Sequence, residues 1–329
     1  RARLETLVAA LEEGIDALAF SSGMAAVDAV MNLFAPGDHI ITGNDLYGGS
    51  FRLFRNINAR NGVEFTTVHT SKLEEIKAAI KPNTKAIFLE TPTNPTMEIS
   101  DLRAISKIAK ENNFLVIVDN TFLTPYFQKP LALGADIVIH SGTKYLAGHN
   151  DVLAGFTVVK EQTLADNLHL IYKTTGACLG ALDAWLVIRG IKTLPLRMEQ
   201  HQKNATAIAA WLQKQPRVKY VLYPGLAEHP GYAVNKAQTS GFGGMISFAV
   251  DNAETARQLL EGVKLIQFAE SLGGTESLIT YPIRQTHTDL TPEECAEKGI
   301  TDCLLRLSTG IEATDDLIAD LAQAFAAVE

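Results

Sequence analysis

Residues 135–145 read Ala135-Asp136-Ile137-Val138-Ile139-His140-Ser141-Gly142-Thr143-Lys144-Tyr145. A short apolar run, the pattern of a buried strand, stops abruptly at small hydroxyl residues and one lysine. In open α/β sheets, ligands bind in the crevice beyond the carboxyl ends of the strands. An amine placed there between Ser141 and Thr143 suits a carbonyl partner, with hydroxyls at hand for a phosphate. That combination suggests a Schiff-base lysine holding pyridoxal phosphate. Taken alone, a surface lysine closing a strand is the plainer explanation, so the surrounding chain must decide.

Outward from this stretch, strand-like and helix-like patterns alternate up to about residue 190. Strands are expected at 39–42, 64–69, 86–89, 115–119, 136–140 and 155–159, and a helix at 102–109 whose start is marked by Ser100. Such alternation predicts a mainly parallel sheet with helices on both faces. Before it, Leu4, Leu7, Val8 and Leu11 share one helical face, with Gly14 as the expected stop. Because the chain opens directly into this helix, a leading segment is expected ahead of Arg1. A long helix at 196–213 then leads to a smaller α/β unit, with strands near 218–223 and 244–250 and helices at 253–260 and 315–328. The domains are therefore set at residues 1–190 and 191–329.

The 329 residues are 47% hydrophobic and 20% charged, an ordinary soluble globular balance. A net charge of −8 without a basic stretch argues against nucleic-acid binding. Cys178, Cys295 and Cys303 have neither metal-ligand spacing nor a disulfide framework and fit a reduced cytoplasm. No apolar run has membrane-spanning length, and no secretory signal is present.

Other motifs follow strands or open helices. Ser21-Ser22-Gly23-Met24-Ala25-Ala26 starts a helix, where unpaired N–H groups and the dipole favour an anion. A serine N-cap with a tight turn explains it equally simply. Neither a Walker loop nor a G-x-G-x-x-G fingerprint occurs, which disfavours a nicotinamide dehydrogenase. Asp119, followed by Asn120, Thr121 and Phe122, ends an apolar run and needs a partner. A protonated pyridine nitrogen would be one; with no second acid or histidine nearby in sequence, a metal is not expected. Tyr47 beside Gly48 and Gly49 can stack on a ring and act as acid or base, and Arg52 can meet an anionic substrate. Asn94, in Glu90-Thr-Pro-Thr-Asn94-Pro95, can hold a carboxylate or a ring oxygen. Arg306 interrupts an apolar strand-like run, which suits a carboxylate clamp or an internal salt bridge.

Taken together, Ser-Ser-Gly-Met-Ala-Ala, Asp-Leu-Tyr-Gly-Gly, Glu-Thr-Pro-Thr-Asn-Pro, Val-Asp-Asn-Thr-Phe, His-Ser-Gly-Thr-Lys-Tyr and Ala-Glu-Ser-Leu-Gly-Gly occur here in that order. Over nearly its whole length the chain resembles the trans-sulfuration enzymes, the cysteine/methionine-metabolism family of pyridoxal-phosphate enzymes. The resemblance implies an aspartate-aminotransferase-like fold, called fold type I: a large cofactor domain, a smaller C-terminal α/β domain, and a homotetramer of two catalytic dimers. It also implies that Lys144 bonds the cofactor and later shuttles protons, that Asp119 pairs with the ring nitrogen and that Tyr47 stacks on the ring. Ser22, Gly23, Met24, Thr121, Ser141 and Thr143 complete the cofactor set. Arg306 and Asn94 would take the substrate α-carboxylate, and Ser271 would position Lys144 or the substrate. The family's Tyr-x-Arg segment, which reaches the neighbouring subunit's cofactor phosphate, would precede residue 1.

Glu270 before Ser271 resembles cystathionine γ-synthases and γ-lyases, where an acid can meet the distal amino group of cystathionine or cysteine; in methionine γ-lyases that position is apolar. The stretches 277–282 and 285–289 and the ending 304–312 resemble bacterial synthases, and Arg52 would suit a succinyl carboxylate. The expected order is therefore cystathionine γ-synthase, then γ-lyase, then O-acetylhomoserine sulfhydrylase. A catalytically silent binding protein on the same fold is the alternative from another class.

Overall fold

The computed structural model describes residues 1–286 and 291–328. Its first sheet holds seven strands: β1 (Asp16–Phe20), β2 (His39–Gly43), β3 (Glu64–Val68), β4 (Thr84–Glu90), β5 (Leu115–Asp119), β6 (Ile137–Ser141) and β7 (Gly155–Val159). Their order across the sheet is β1-β7-β6-β5-β4-β2-β3. Pairing is parallel from β3 to β6, whereas β7 runs antiparallel to both β6 and β1. Central strands are covered on both faces, which is why β5 and β6 read as continuous apolar runs rather than alternating ones. Ile117, Val118, Val138 and Ile139 are fully buried, each contributing about 1.5–3 kcal/mol of transfer free energy.

The register brings distant residues to one rim. Phe20 pairs with Gly155 and Gly155 with Ser141, while Glu90 pairs with Asp119. The segments that follow β1, β2, β4, β5 and β6 therefore leave the sheet at one end.

Two local expectations are corrected. The helix Leu102–Glu111 is capped by Asp101, whose carboxylate accepts from Ala104 N–H at 2.9 Å. Ser100 is fully buried and its hydroxyl bonds Thr70 at 2.7 Å, so it is unavailable as a cap. At the end of the helix Ala2–Glu12, Glu13 rather than Gly14 takes the left-handed conformation, with φ 61°.

A second sheet contains β8 (Val218–Leu222), β9 (Met245–Val250), β10 (Gln267–Phe268), β11 (Leu278–Thr280) and β12 (Leu304–Ser308), in the order β10-β11-β12-β9-β8. The helix Leu194–Leu212 joins the two cores. Leu194 and Met198 pack into the first; Ala205, Ile208 and Leu212 pack into the second with Phe248, Leu305 and Leu307. Among the described residues no helix is long and apolar enough to cross a membrane.

Candidate active site

A cavity of about 170 Å³ opens at the shared rim. Ser22, Gly23, Met24, Tyr47, Glu90, Asn94, Asp119, Thr121, Ser141, Thr143 and Lys144 all line it. Most of the residues expected from sequence are thus brought together. Ser271 and Arg306 join through hydrogen bonds, since Lys144 Nζ donates to Ser271 Oγ at 2.8 Å and Arg306 Nη1 donates to Asn94 Oδ1 at 2.7 Å. Arg52 is not brought in; it is exposed on the helix Gly48–Leu53 and is not part of the lining.

At one wall, Ser22 caps the helix Gly23–Met31 by accepting from Ala25 N–H at 3.1 Å. The Gly23 and Met24 amides, used by no described hydrogen bond, remain at the cavity. A Cβ on Gly23 would lie 3.0 Å from Ser141 Cβ, so glycine lets the helix start approach the end of β6. Thr143 braces the same wall, accepting from Ala154 N–H at 3.1 Å. Thr121 fastens two strand ends: its N–H donates to Asp119 Oδ1 at 2.9 Å and its hydroxyl accepts from Ser141 N–H at 2.8 Å.

Burial raises Asp119 above its ordinary range, opposed by the Thr121 hydroxyl and amide and by the charge of His140. The carboxylate was expected to stand alone, but Glu90 lies opposite it in the register. This acid and His140 are remote in sequence and become neighbours through strand pairing. No group of three or more metal-ligating side chains occurs among the described residues.

Lys144 is half-buried, and its amine is pushed down to about 8 by burial and then by the Arg306 guanidinium, with Glu270 opposing. A neutral amine attacks carbonyls. Capture of pyridoxal phosphate by the apoprotein is therefore expected to speed up roughly tenfold per pH unit below about 8 and to level off above it. Stopped-flow absorbance checks this, and a flat profile would contradict the assigned amine.

Arg306 is buried at 2% exposure, and its Nη2 donates to Ser271 O and Thr280 Oγ1, both at 3.2 Å. Among the described residues no carboxylate lies within 4.0 Å of it, so the internal salt bridge that the sequence left open is not formed. Burial pushes its guanidinium down to about 10. Ser271 holds φ at 94°, a strained value for a residue with a side chain. Glu270, exposed, lines an adjoining open pocket with Asn150, Asp151 and Thr143, the last of which also lines the cavity. Tyr47, 44% exposed, heads the helix Gly48–Leu53, and Gly49 leaves room for its ring, because a Cβ there would lie 2.5 Å from Tyr47 Cε1.

Sequence reasoning missed the supports beneath the site. Fully buried Glu12 accepts from Asn120 Nδ2 at 2.8 Å and pairs with buried His140 at 2.6 Å. Arg197 holds the carbonyl of Tyr145 at 2.7 Å. A charged residue inside an amphipathic helix was the signal available for both Glu12 and Arg197.

The chain matches the Cys/Met metabolism PLP-dependent enzyme family over residues 1–326. The chain belongs to that family. It is 52% identical to cystathionine gamma-lyase of Bacillus subtilis over 98% of this chain and 86% of the relative. Identity is 51% with cystathionine gamma-synthase of Haemophilus influenzae, over 99% and 84%. A solved structure of cystathionine gamma-lyase from Lactobacillus plantarum, complexed with L-serine, superposes with a TM-score of 0.98 at 46% identity, covering 99% of this chain and 86% of that one.

Membership makes this a fold type I, pyridoxal-phosphate-dependent trans-sulfuration enzyme. The cavity independently fits that cofactor. Unused amides and hydroxyls suit a phosphate, a shielded carboxylate suits a cationic ring nitrogen, and an amine of lowered basicity suits an aldehyde.

Proposed function

We propose that this enzyme cleaves the Cγ–S bond of L-cystathionine and related amino acids. The observation that carries this reading is Glu270, whose charge in the adjoining pocket acts on both Lys144 and Arg306. An α-carboxylate bound at Arg306 leaves a long substrate extending toward that pocket, where Glu270 meets a distal ammonium. Acyl replacement ranked first in the sequence on the stretches that resemble bacterial synthases and on Arg52 as the cation for a succinyl carboxylate. With Arg52 outside the lining, that order loses one of its two supports. γ-Replacement stays as the second reading, favoured by residues 277–282, which resemble bacterial synthases; of the similar stretch 285–289, residues 287–289 lie outside the described residues.

Bound pyridoxal phosphate supplies an electrophilic carbonyl and an electron sink for charge at the substrate α carbon. Lys144 Nζ would hold the carbonyl until the substrate amine displaces it, and the freed amine would then remove and return protons at Cα and Cβ. Ser271 Oγ orients that amine. Asp119 would pair with the ring nitrogen, and Tyr47 would lie against the ring and serve as a second proton-carrying group. The Gly23 and Met24 amides with Ser22, Ser141 and Thr143 hold the phosphate, and Thr121 keeps Asp119 in place. Arg306 and Asn94 take the α-carboxylate. In this division residues 1–190 hold the cofactor and supply Asn94 to the substrate, and residues 191–329 supply the other substrate contacts, Glu270, Ser271 and Arg306.

A product assay tests the reading. L-Cystathionine is expected to yield cysteine, 2-oxobutanoate and ammonia; homocysteine with pyruvate would mean β-cleavage instead. Cystathionine formed from O-succinyl- or O-acetylhomoserine plus cysteine, without 2-oxobutanoate release from cystathionine, would establish replacement. Glu270→Ala is expected to raise KM for cystathionine about fivefold while leaving that for O-acetylhomoserine within about twofold. Equal effects on both substrates would remove Glu270 from selectivity.

The proposal includes a homotetramer of two catalytic dimers. Exposed apolar side chains on successive helices support association: Leu182 at 68%, Trp185 at 55% and Leu196 at 75%. Light scattering of the holoenzyme reads the state, and a monomer at micromolar concentration would refute it.

A further inference from the structure

Glu90 lines the cavity at 7% exposure, and its Oε1 accepts from Tyr47 N–H at 2.8 Å across 43 residues of sequence. It stands opposite Asp119 at the end of the adjacent parallel strand, and neighbouring strands are about 4.8 Å apart. Two carboxyl groups so placed in a shielded cavity do not both ionise, because like charges repel and each loses hydration.

We propose that Glu90 is a positioning residue of this site: as an uncharged carboxyl it tethers the Tyr47 backbone and leaves the negative charge of the pair to Asp119. The division follows from what surrounds each group. Asp119 has the amide and hydroxyl of Thr121 and the charge of His140 to favour its anion. Glu90 has one amide donor, from Tyr47, against burial and the charges of Asp119 and Asp45, which together hold it well above the carboxylate range. Asp45 faces it from the segment after β2 and is itself held by the Thr96 amide at 3.1 Å. Among the described residues, Lys298 is attracted by Asp45, and Lys144 lines the same cavity as Glu90. With the proton on Glu90, Asp119 meets a cationic ring nitrogen without a competing anion, and the Tyr47 ring is fixed from its own main chain.

The inference rests on the assignment of Asp119 to the ring nitrogen, and its test separates the two. Apoprotein is titrated with pyridoxal phosphate and binding is read from visible absorbance. Glu90→Gln copies the protonated form and is expected to bind within about threefold of wild type, whereas Glu90→Ala, which loses the tether, weakens binding about tenfold.

Apoprotein melting supplies a readout independent of the cofactor. A buried acid whose folded value lies above its unfolded one loses stability as pH rises from the unfolded toward the folded value. Glutamine has no such loss, so the melting temperature of Glu90→Gln is expected to gain on wild type by about 2 °C or more between about pH 5 and pH 8. Binding by Glu90→Gln as weak as that of Glu90→Ala, or a melting difference independent of pH, overturns the neutral-tether role. Wild-type cofactor affinity in Asp119→Asn overturns the underlying assignment instead.

Discussion

Replacing Lys144 by alanine is expected to abolish measurable turnover, a loss of at least about 10⁴-fold, and to remove the visible absorbance of the lysine-bound cofactor. The size of the effect follows from the number of tasks placed on one atom. In the proposed mechanism Nζ is the covalent attachment point and also the base that moves protons on the substrate, and burial with the Arg306 charge lowers it to about 8. A group with either task alone contributes about 10²–10⁴-fold. The fold should survive, because the side chain makes one described hydrogen bond, to Ser271, and an amine of lowered basicity is not a net stabilising charge. Far-ultraviolet dichroism and melting temperature are therefore expected to stay close to wild type while the absorbance vanishes. A Lys144→Ala protein that folded normally and still turned over cystathionine would sink the assignment.

The stretch around Lys144 was legible because its information is local. An apolar strand, an abrupt stop and a hydroxyl-flanked amine are contiguous, and the same holds for the helix start at Ser22 and for Asp119 at the end of β5. What stayed hidden depended on strand order, which a linear pattern does not carry. Glu90 sits in a turn motif of ordinary composition; only the β4–β5 register sets it against Asp119 and only the return of the chain places it under Tyr47. The edge position of β1 and the reversal of β7 are hidden for the same reason, since an antiparallel strand buried on both faces has the same apolar pattern as a parallel one. Ser100 shows the opposite error: it had the right chemistry for a cap, but the backbone turns it into the core, where local pattern gave no orientation. Arg52 is exposed on the helix Gly48–Leu53 and outside the cavity lining.

Arg306→Lys is expected to lower kcat/KM for cystathionine about 10²–10³-fold, mainly through KM, while cofactor affinity stays within about threefold of wild type. The partition follows from what the guanidinium touches. Its described bonds go to Asn94, Ser271 and Thr280, and no described carboxylate is in salt-bridge reach, Glu270 acting on it only from a distance. Burying such a group without a partner is costly, and the cost is offset when a substrate α-carboxylate docks. A carboxylate held by two parallel N–H bonds gains geometry as well as charge; an ammonium keeps the charge, loses the fork and is more strongly hydrated. Because the α-carboxylate itself makes and breaks no bond, it is held about equally in the ground and transition states, which places the loss in KM. The same logic gives a readout without turnover: an unreactive amino acid such as glycine should raise the melting temperature of the wild-type holoenzyme and not that of Arg306→Lys. Unchanged KM together with a wild-type melting shift would make Arg306 a core residue that happens to border the cavity. The buried cation would then need a structural partner, and the described carboxylates supply none within reach.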